Sequence, residues 1–155
     1  GHSDGASIGI IYTGSEVTGN VKGLVLMAPH VFLEAISLDG VNKARRLYQS
    51  ADLRERLVGY HGKQVDDAFW SWNDFWRHPA VQGWNIESFL HHIDVPTLII
   101  QGVNDEYGSV AQLDAIESQV SGPVERFVLD EVGHSPHREQ PQFVLDKISR
   151  FVELS

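Results

Sequence analysis

Three side chains in this sequence could form a nucleophile, a base and an orienting acid for attack on a carbonyl carbon: Ser3, His134 and Asp105. A serine hydroxyl is a weak nucleophile until a neighbouring imidazole takes its proton. The imidazole in turn needs an acid to fix its tautomer and to stabilise its cation. Ser3 stands in Gly1-His2-Ser3-Asp4-Gly5, which reads G-x-S-x-G. That pattern marks a sharp strand-to-helix turn that presents a serine. The small residues Gly1 and Gly5 leave the turn room, and the backbone N–H of Asp4 would donate to the oxyanion. Asp105 ends Gly102-Val103-Asn104-Asp105 after one apolar run, and His134 follows Gly133 after another. The chemistry these types suit is acyl transfer through a covalent intermediate.

Each residue alone has a plain explanation. G-x-S-x-G recurs by chance where Gly and Ser are common, Asn-Asp is ordinary turn chemistry, and the chain has 8 histidines. Glu106 could stand in for Asp105. His137 competes with His134, but it lacks the preceding glycine and lies further from the strand end. Together the three are more specific. Each falls at the C-terminal end of an expected strand, counting for Ser3 a strand that would precede Gly1. That edge is where open α/β sheets place their sites.

The elements that must position these residues follow from the apolar pattern. Ser7 to Tyr12 continues the elbow as a helix, and Gly14 with Ser15 to Asn20 ends it. Val21 to Ala28 is a compact apolar run without alternation, so it reads as a strand buried on both faces. Val31 to Ile93 carries no strand signal and several amphipathic helix patterns. Ser50 is a candidate N-cap there, and Asp66 to Trp76 is dense in aromatics until Pro79 stops it. Asn85 can cap a short helix over Ile86 to Ile93. Pro96 to Gln101 is a second buried strand. Val110 to Val120 is a helix with Leu113, Ile116 and Val120 on one face, and Val124 to Leu129 is a third strand. Gln142 to Leu154 closes the chain as a helix, with Phe143, Ile148, Phe151 and Val152 as core candidates. Strands alternating with helices argue for an α/β fold with a parallel sheet.

Composition narrows the function classes. At 155 residues the chain can bury one real core. A net charge of −9 argues against nucleic acid, because phosphate binding needs clustered Lys and Arg. No run approaches the roughly 18 apolar residues of a membrane span. There are no cysteines, which removes disulfides and thiol chemistry and fits a cytoplasmic location. Metal binding has little support: His91 and His92 are adjacent, so they should point apart, and no H-x-x-x-H spacing occurs. Glycine-rich phosphate loops are absent too. Arg45, Arg46, Arg54 and Arg56 read as a solvated basic face.

The segments GHSDG (1–5), GLVLMAP (23–29), VPTLIIQGVND (95–105) and DEVGHSPHREQP (130–141) together resemble the C-terminal portion of the α/β-hydrolase fold family. The resemblance runs over nearly the whole chain and is weakest from Val31 to Ile93. It implies residues 1–30 as elbow, helix and first core strand, residues 31–93 as a helical cap insert, and residues 94–155 as the C-terminal core. It also implies a serine hydrolase with Ser3, Asp105 and His134 as its triad, Asp4 as one oxyanion donor, and no metal or organic cofactor. A serine at the nucleophile position departs from the dehalogenase and epoxide-hydrolase branches. Esterases, C–C bond hydrolases, amidases and cofactor-free haloperoxidases remain. Family members have more strands than the three read here, so the expectation is a fragment lacking its N-terminal strands. Its partner would be that missing half or another copy of the chain. The alternative is a non-catalytic truncated hydrolase that binds a small molecule or docks a partner through its open sheet edge.

The insert should shape the substrate. Phe69, Trp72 and Trp76 fall at i, i+3 and i+7 and share one helix face. They are read as an aromatic wall of the pocket, with core packing as the plainer role for some of them. His30 and Phe32 follow the first strand and should lie at the site mouth. Tyr107 and Gly108 read as loop structure rather than as substrate contacts. The aromatics favour a small apolar or aromatic carbonyl substrate.

Overall fold

The computed structural model describes residues 1–15 and 20–154. Of the loop expected from Ser15 to Asn20, residues 16–19 therefore lie outside the described residues. Three strands, β1 (Leu24–Met27), β2 (Thr97–Gly102) and β3 (Val124–Leu129), form one parallel sheet in the order β1-β2-β3. Leu24 lies opposite Thr97, which lies opposite Val124. β1 is shorter than the apolar run suggested. Ala28 takes φ 46° and turns the chain out of the ladder.

Side chains alternate across each strand, so one sequence run feeds two cores. Leu24, Leu26 and Ile99 point to one face. There they meet Ala6 and Ile10 of α1 (Asp4–Gly14) and Leu113 and Ile116 of α5 (Ala111–Gln119). Leu98 and Ile100 point to the other face and meet Val144 and Phe151 of α7 (Pro141–Leu154). The middle strand is buried along its whole length. On α7, Val152 is 65% exposed, against the expected core role. Val144 takes the inward position instead, since a helix lying on one sheet buries only the stripe that faces it.

Between β1 and β2 the chain forms α2 (Ala35–Ser50), α3 (Leu53–His61) and α4 (Val65–Arg77). Their packing cluster is their own: Ala44, Tyr48, Val65 and Phe69. The segment leaves and rejoins the body at one neck. Phe32 and Asn85 form an antiparallel bridge, and the Ile86 N–H donates to the Val31 carbonyl at 2.7 Å. Beyond the neck, Ile86, Leu90 and Ile93 pack into the main core with Ile10 and Leu26. The apolar side chains at the end of the 31–93 segment thus pack toward the sheet.

Local details of the helices also differ. Ser50 is not an N-cap: its hydroxyl donates back to the Arg46 carbonyl, and Asp52 precedes α3. Asn85 lies one residue before the cap position, which Ile86 holds without a side-chain bond; its Oδ1 accepts from the Glu87 N–H at 2.8 Å ahead of a 3-10 turn over Glu87–His92. Two arginines of the basic face are paired with acids, Arg45 with Asp74 at 2.8 Å and Arg54 with Asp66 at 2.6 Å. His91 and His92 do not point apart. Their ring centroids are 3.8 Å apart. Among the described residues no helix is long and apolar enough to cross a membrane.

Candidate active site

The site lies at the C-terminal edge of the sheet, where three connections converge. Ser3 stands between an extended stub and α1. His2 bridges Met27 in parallel, and the Ser3 N–H donates to the Met27 carbonyl at 2.9 Å. The next N–H groups turn sharply back, Gly5 to the His2 carbonyl and Ala6 to the Ser3 carbonyl. Ser3 itself has φ 53° and ψ −126°. A side chain in that region is strained, and such strain collects where a structure must present a reactive group. Gly1 is required, because a Cβ there would come within 2.2 Å of the Gly5 carbonyl oxygen. Gly5 is not explained the same way: a Cβ there meets nothing within 4 Å.

Asp105 follows β2, and its loop is laced to the loop after β3. The Asn104 N–H donates to the Val132 carbonyl at 2.8 Å, and a Cβ on Gly102 would sit 2.0 Å from that same oxygen. His134 ends the second loop. The N–H groups on either side of it, Gly133 and Ser135, both donate to the Glu139 carboxylate of α6 (Pro136–Glu139). A short helix thus clamps the histidine loop.

These loops bring the three residues into one hydrogen-bonded line. The Ser3 Oγ lies 2.9 Å from His134 Nε2, and His134 Nδ1 lies 2.9 Å from Asp105 Oδ1. An ionised carboxylate only accepts, so Nδ1 carries the proton and Nε2 is left to accept from the serine hydroxyl. The Asp105 side chain is fully buried. Burial works to raise its pKa. Hydrogen bonds from His134 and the Tyr107 N–H, and the nearby imidazoles, outweigh that and hold it below the ordinary range. His134 turns to Asp105 and not to Glu106. His137 meets His2, with ring centroids 4.7 Å apart, instead of the serine.

A cavity of about 180 Å³ opens beside Ser3. Asp4, His30, Phe32, Trp72 and Trp76 line it, as expected. Phe69 does not. It is 6% exposed and stacks on Tyr48 at 3.7 Å in the cluster formed by α2, α3 and α4, so the shared helix face splits between two tasks. Tyr107 corrects the opposite way. Its ring lines the cavity and lies 4.7 Å from that of His134, and burial pushes its hydroxyl pKa up to about 12. The Asp4 carboxylate accepts from Trp76 Nε1 at 3.4 Å, which ties α4 to the elbow. His30 is 8% exposed, and its imidazole is held toward the neutral form, chiefly by burial.

No protein-family model matches the sequence, and no curated protein matches it. Solved structures do. A serine hydrolase involved in carbazole degradation matches at TM-score 0.74 and 17% identity, over 100% of this chain and 62% of its own. This chain has an α/β-hydrolase fold. A membrane phospholipase A, described as a bacterial virulence factor, matches that fold at TM-score 0.72 and 16% identity, over 99% of this chain and 55% of its own. The esterase RhEst1 from Rhodococcus sp. ECU1013 matches at TM-score 0.65 and 19% identity, over 99% and 63%. The chain therefore spans roughly three fifths of the length of these α/β-hydrolase structures.

Several residues at this edge of the α/β-hydrolase sheet were not legible in advance. Trp84, Leu33, Ser37 and Val41 also line the cavity. His2 Nε2 donates to the His134 carbonyl at 2.7 Å, a second hold on His134. The position of His2, one residue before the serine, was a signal that it would lie close by. Nothing in the sequence marked its partner, which is 132 residues away.

Proposed function

We propose that Ser3, His134 and Asp105 are the catalytic triad of a serine hydrolase of esterase type. The substrate is a carbonyl compound with a small apolar or aromatic group, and the activity is that of the complete protein carrying this chain. The observation that carries the reading is the unbroken line from Ser3 Oγ to His134 Nε2 and from Nδ1 to Asp105, at 2.9 Å for both contacts.

The steps follow from that line. Ser3 Oγ bonds to the carbonyl carbon as its proton passes to His134 Nε2. The carbonyl electron pair moves to oxygen, where the Asp4 N–H at the start of α1 donates to it. Asp105 stabilises the imidazolium. His134 then gives the proton to the departing alkoxide, which leaves an acyl group on Ser3. Water attacks with the same base, and the acid is released as Ser3 regains its proton. The strained Ser3 backbone holds the hydroxyl up toward the cavity. Phe32, Trp72 and Trp76 give the cavity its apolar wall. No step calls for a metal or an organic cofactor.

Reaction with a fluorophosphonate followed by peptide mapping tests the reading. The expected adduct is on Ser3, and it disappears in Ser3→Ala together with ester turnover. Wild-type turnover in Ser3→Ala would exclude the assignment.

A further inference from the structure

A second cavity, of about 340 Å³, lies under the cap and is larger than the one at Ser3. Its wall comes from Leu53 and Leu57 of α3, Ala44 of α2, and Ala68 and Phe69 of α4. These residues are apolar, and Ala44 and Phe69 are buried in the cap cluster. Trp72 and Tyr107 line both cavities. Their rings meet edge to face at 6.2 Å, and Tyr107 lies against His134 on its other side. The second cavity therefore begins where the first ends, one ring beyond the catalytic imidazole.

A space of this size between apolar side chains is unusual. Interiors normally fill to the density of organic crystals. Where apolar walls stay open next to a reactive centre, the default occupant is part of the ligand. The contrast between the walls specifies its chemistry. The first cavity offers Ser3, Asp4, His30 and His134 to polar atoms, whereas the wall of the second is mostly aliphatic and aromatic, with the exposed His61 and the shared Trp72 and Tyr107 carrying its polar groups.

We infer that the second cavity holds an unbranched aliphatic tail of the substrate, while the carbonyl sits at Ser3. This rests on the hydrolase reading and narrows its substrate to esters with a medium-length alkyl chain. The chain belongs to the acyl or to the alcohol side, and two ester series separate these. Each methylene moved from water into an apolar site favours binding, so kcat/KM should rise about two- to fourfold per carbon until the cavity is full.

The experiment measures kcat/KM in the complete protein for p-nitrophenyl esters from acetate to decanoate, and for acetate esters of alcohols from ethanol to decanol. The expected result is a gain of at least about tenfold between the four-carbon and eight-carbon members of one series. The series that shows it identifies the side bearing the tail. Ala68→Phe fills the cavity and should lower the eight-carbon to two-carbon ratio by about tenfold or more. Leu57→Ala enlarges it and should move the optimum to a longer chain. Profiles that are flat or falling beyond four carbons in both series overturn the inference, as does an unchanged ratio in both variants. If no ester reacts and Ser3 takes no fluorophosphonate adduct, the hydrolase reading fails and the tail site falls with it. Turnover of short esters without a length preference sinks the tail site alone.

Discussion

Replacing Asp105 with asparagine tests the proposed chemistry with the smallest change in shape. In the native site Oδ1 accepts from His134 Nδ1 at 2.9 Å and from the Tyr107 N–H at 2.8 Å, while Oδ2 accepts from Gln101 Nε2 at 3.2 Å. An amide has only one acceptor atom. If its oxygen takes the Oδ1 place, its NH₂ faces the Gln101 NH₂. Gln101 cannot simply turn over, because its Nε2 also donates to the Gly108 carbonyl at 2.7 Å. If the NH₂ takes the Oδ1 place instead, it opposes the fixed Tyr107 N–H and forces the proton of His134 onto Nε2. The base then presents a donor to Ser3 and cannot accept its proton. Each orientation leaves one buried mismatch, costing about 1–3 kcal/mol. The second also gives the wrong tautomer, a loss of about 10⁴ in kcat, or roughly 5 kcal/mol. The first keeps the tautomer but removes the charge that stabilises the imidazolium, a loss of at least about 10². Asp105→Asn should thus lower kcat by about 10²- to 10⁴-fold. KM should change less, since the side chain does not line the cavity. Steady-state hydrolysis of a p-nitrophenyl ester reads this, with a thermal melt to show that the variant folds. Glu106→Gln serves as the control and should stay within about twofold. A folded Asp105→Asn within tenfold of wild type would refute the reasoning, and a collapse in Glu106→Gln would move the acid to its neighbour.

Further expectations follow from the same geometry. His2→Ala removes the 2.7 Å bond to the His134 carbonyl. It should slow kcat by about three- to tenfold while leaving KM nearly unchanged, the loss of one hydrogen bond holding the base; an equal rise in KM would point to general loosening instead. Ser3→Gly and Ser3→Ala both remove the hydroxyl, but only glycine relaxes at φ 53°. Denaturant melts should show the glycine variant more stable than the alanine variant by about 1 kcal/mol, and the opposite order would mean that the elbow is not strained. The third expectation concerns acid. Burial holds the imidazoles of His2, His30 and His137 below their ordinary 6.5. As pH drops through 6.5 the unfolded chain gains protons first, so stability should decline below that point until the folded values are reached. Asp105 adds a second decline: its contribution is present above 3.8 and is lost as pH falls through its lowered folded value. A melting temperature unchanged between about pH 7 and pH 5 would contradict the histidine part.

Much of the fold was legible because its signals are local. The runs at Pro96–Gln101 and Val124–Leu129 read as strands, and β2 and β3 fall on them. The aromatic run before Pro79 reads as a helix, and α4 spans it. Ser3, Asp105 and His134 could be picked out because each follows a strand end through a short turn. Chain pattern places such residues on one sheet edge without knowledge of any contact. Periodicity assigns a residue to a face but does not say what that face meets. Phe69 and Trp72 share a face of α4, yet one stacks on Tyr48 within the cap and the other borders the cavity. The residues before Ile93 show the same limit. Ile86, Leu90 and Ile93 are apolar in either setting, and only the neck at Phe32 and Asn85 assigns them to the body.

By itself the sequence determined the parallel α/β plan and the turn at Ser3, and it marked Asp105 and His134 as candidates with Glu106 and His137 beside them, since strand ends and tight turns are written in neighbouring residues. The tertiary structure decided the rest. It selected Asp105 over Glu106 and His134 over His137, set His2 and Glu139 against the histidine loop, turned Tyr107 into the cavity and opened the space under the cap. Each of these depends on side chains far apart in the chain meeting at a few ångströms, a distance that closing the sheet and seating the cap creates and that no local pattern encodes.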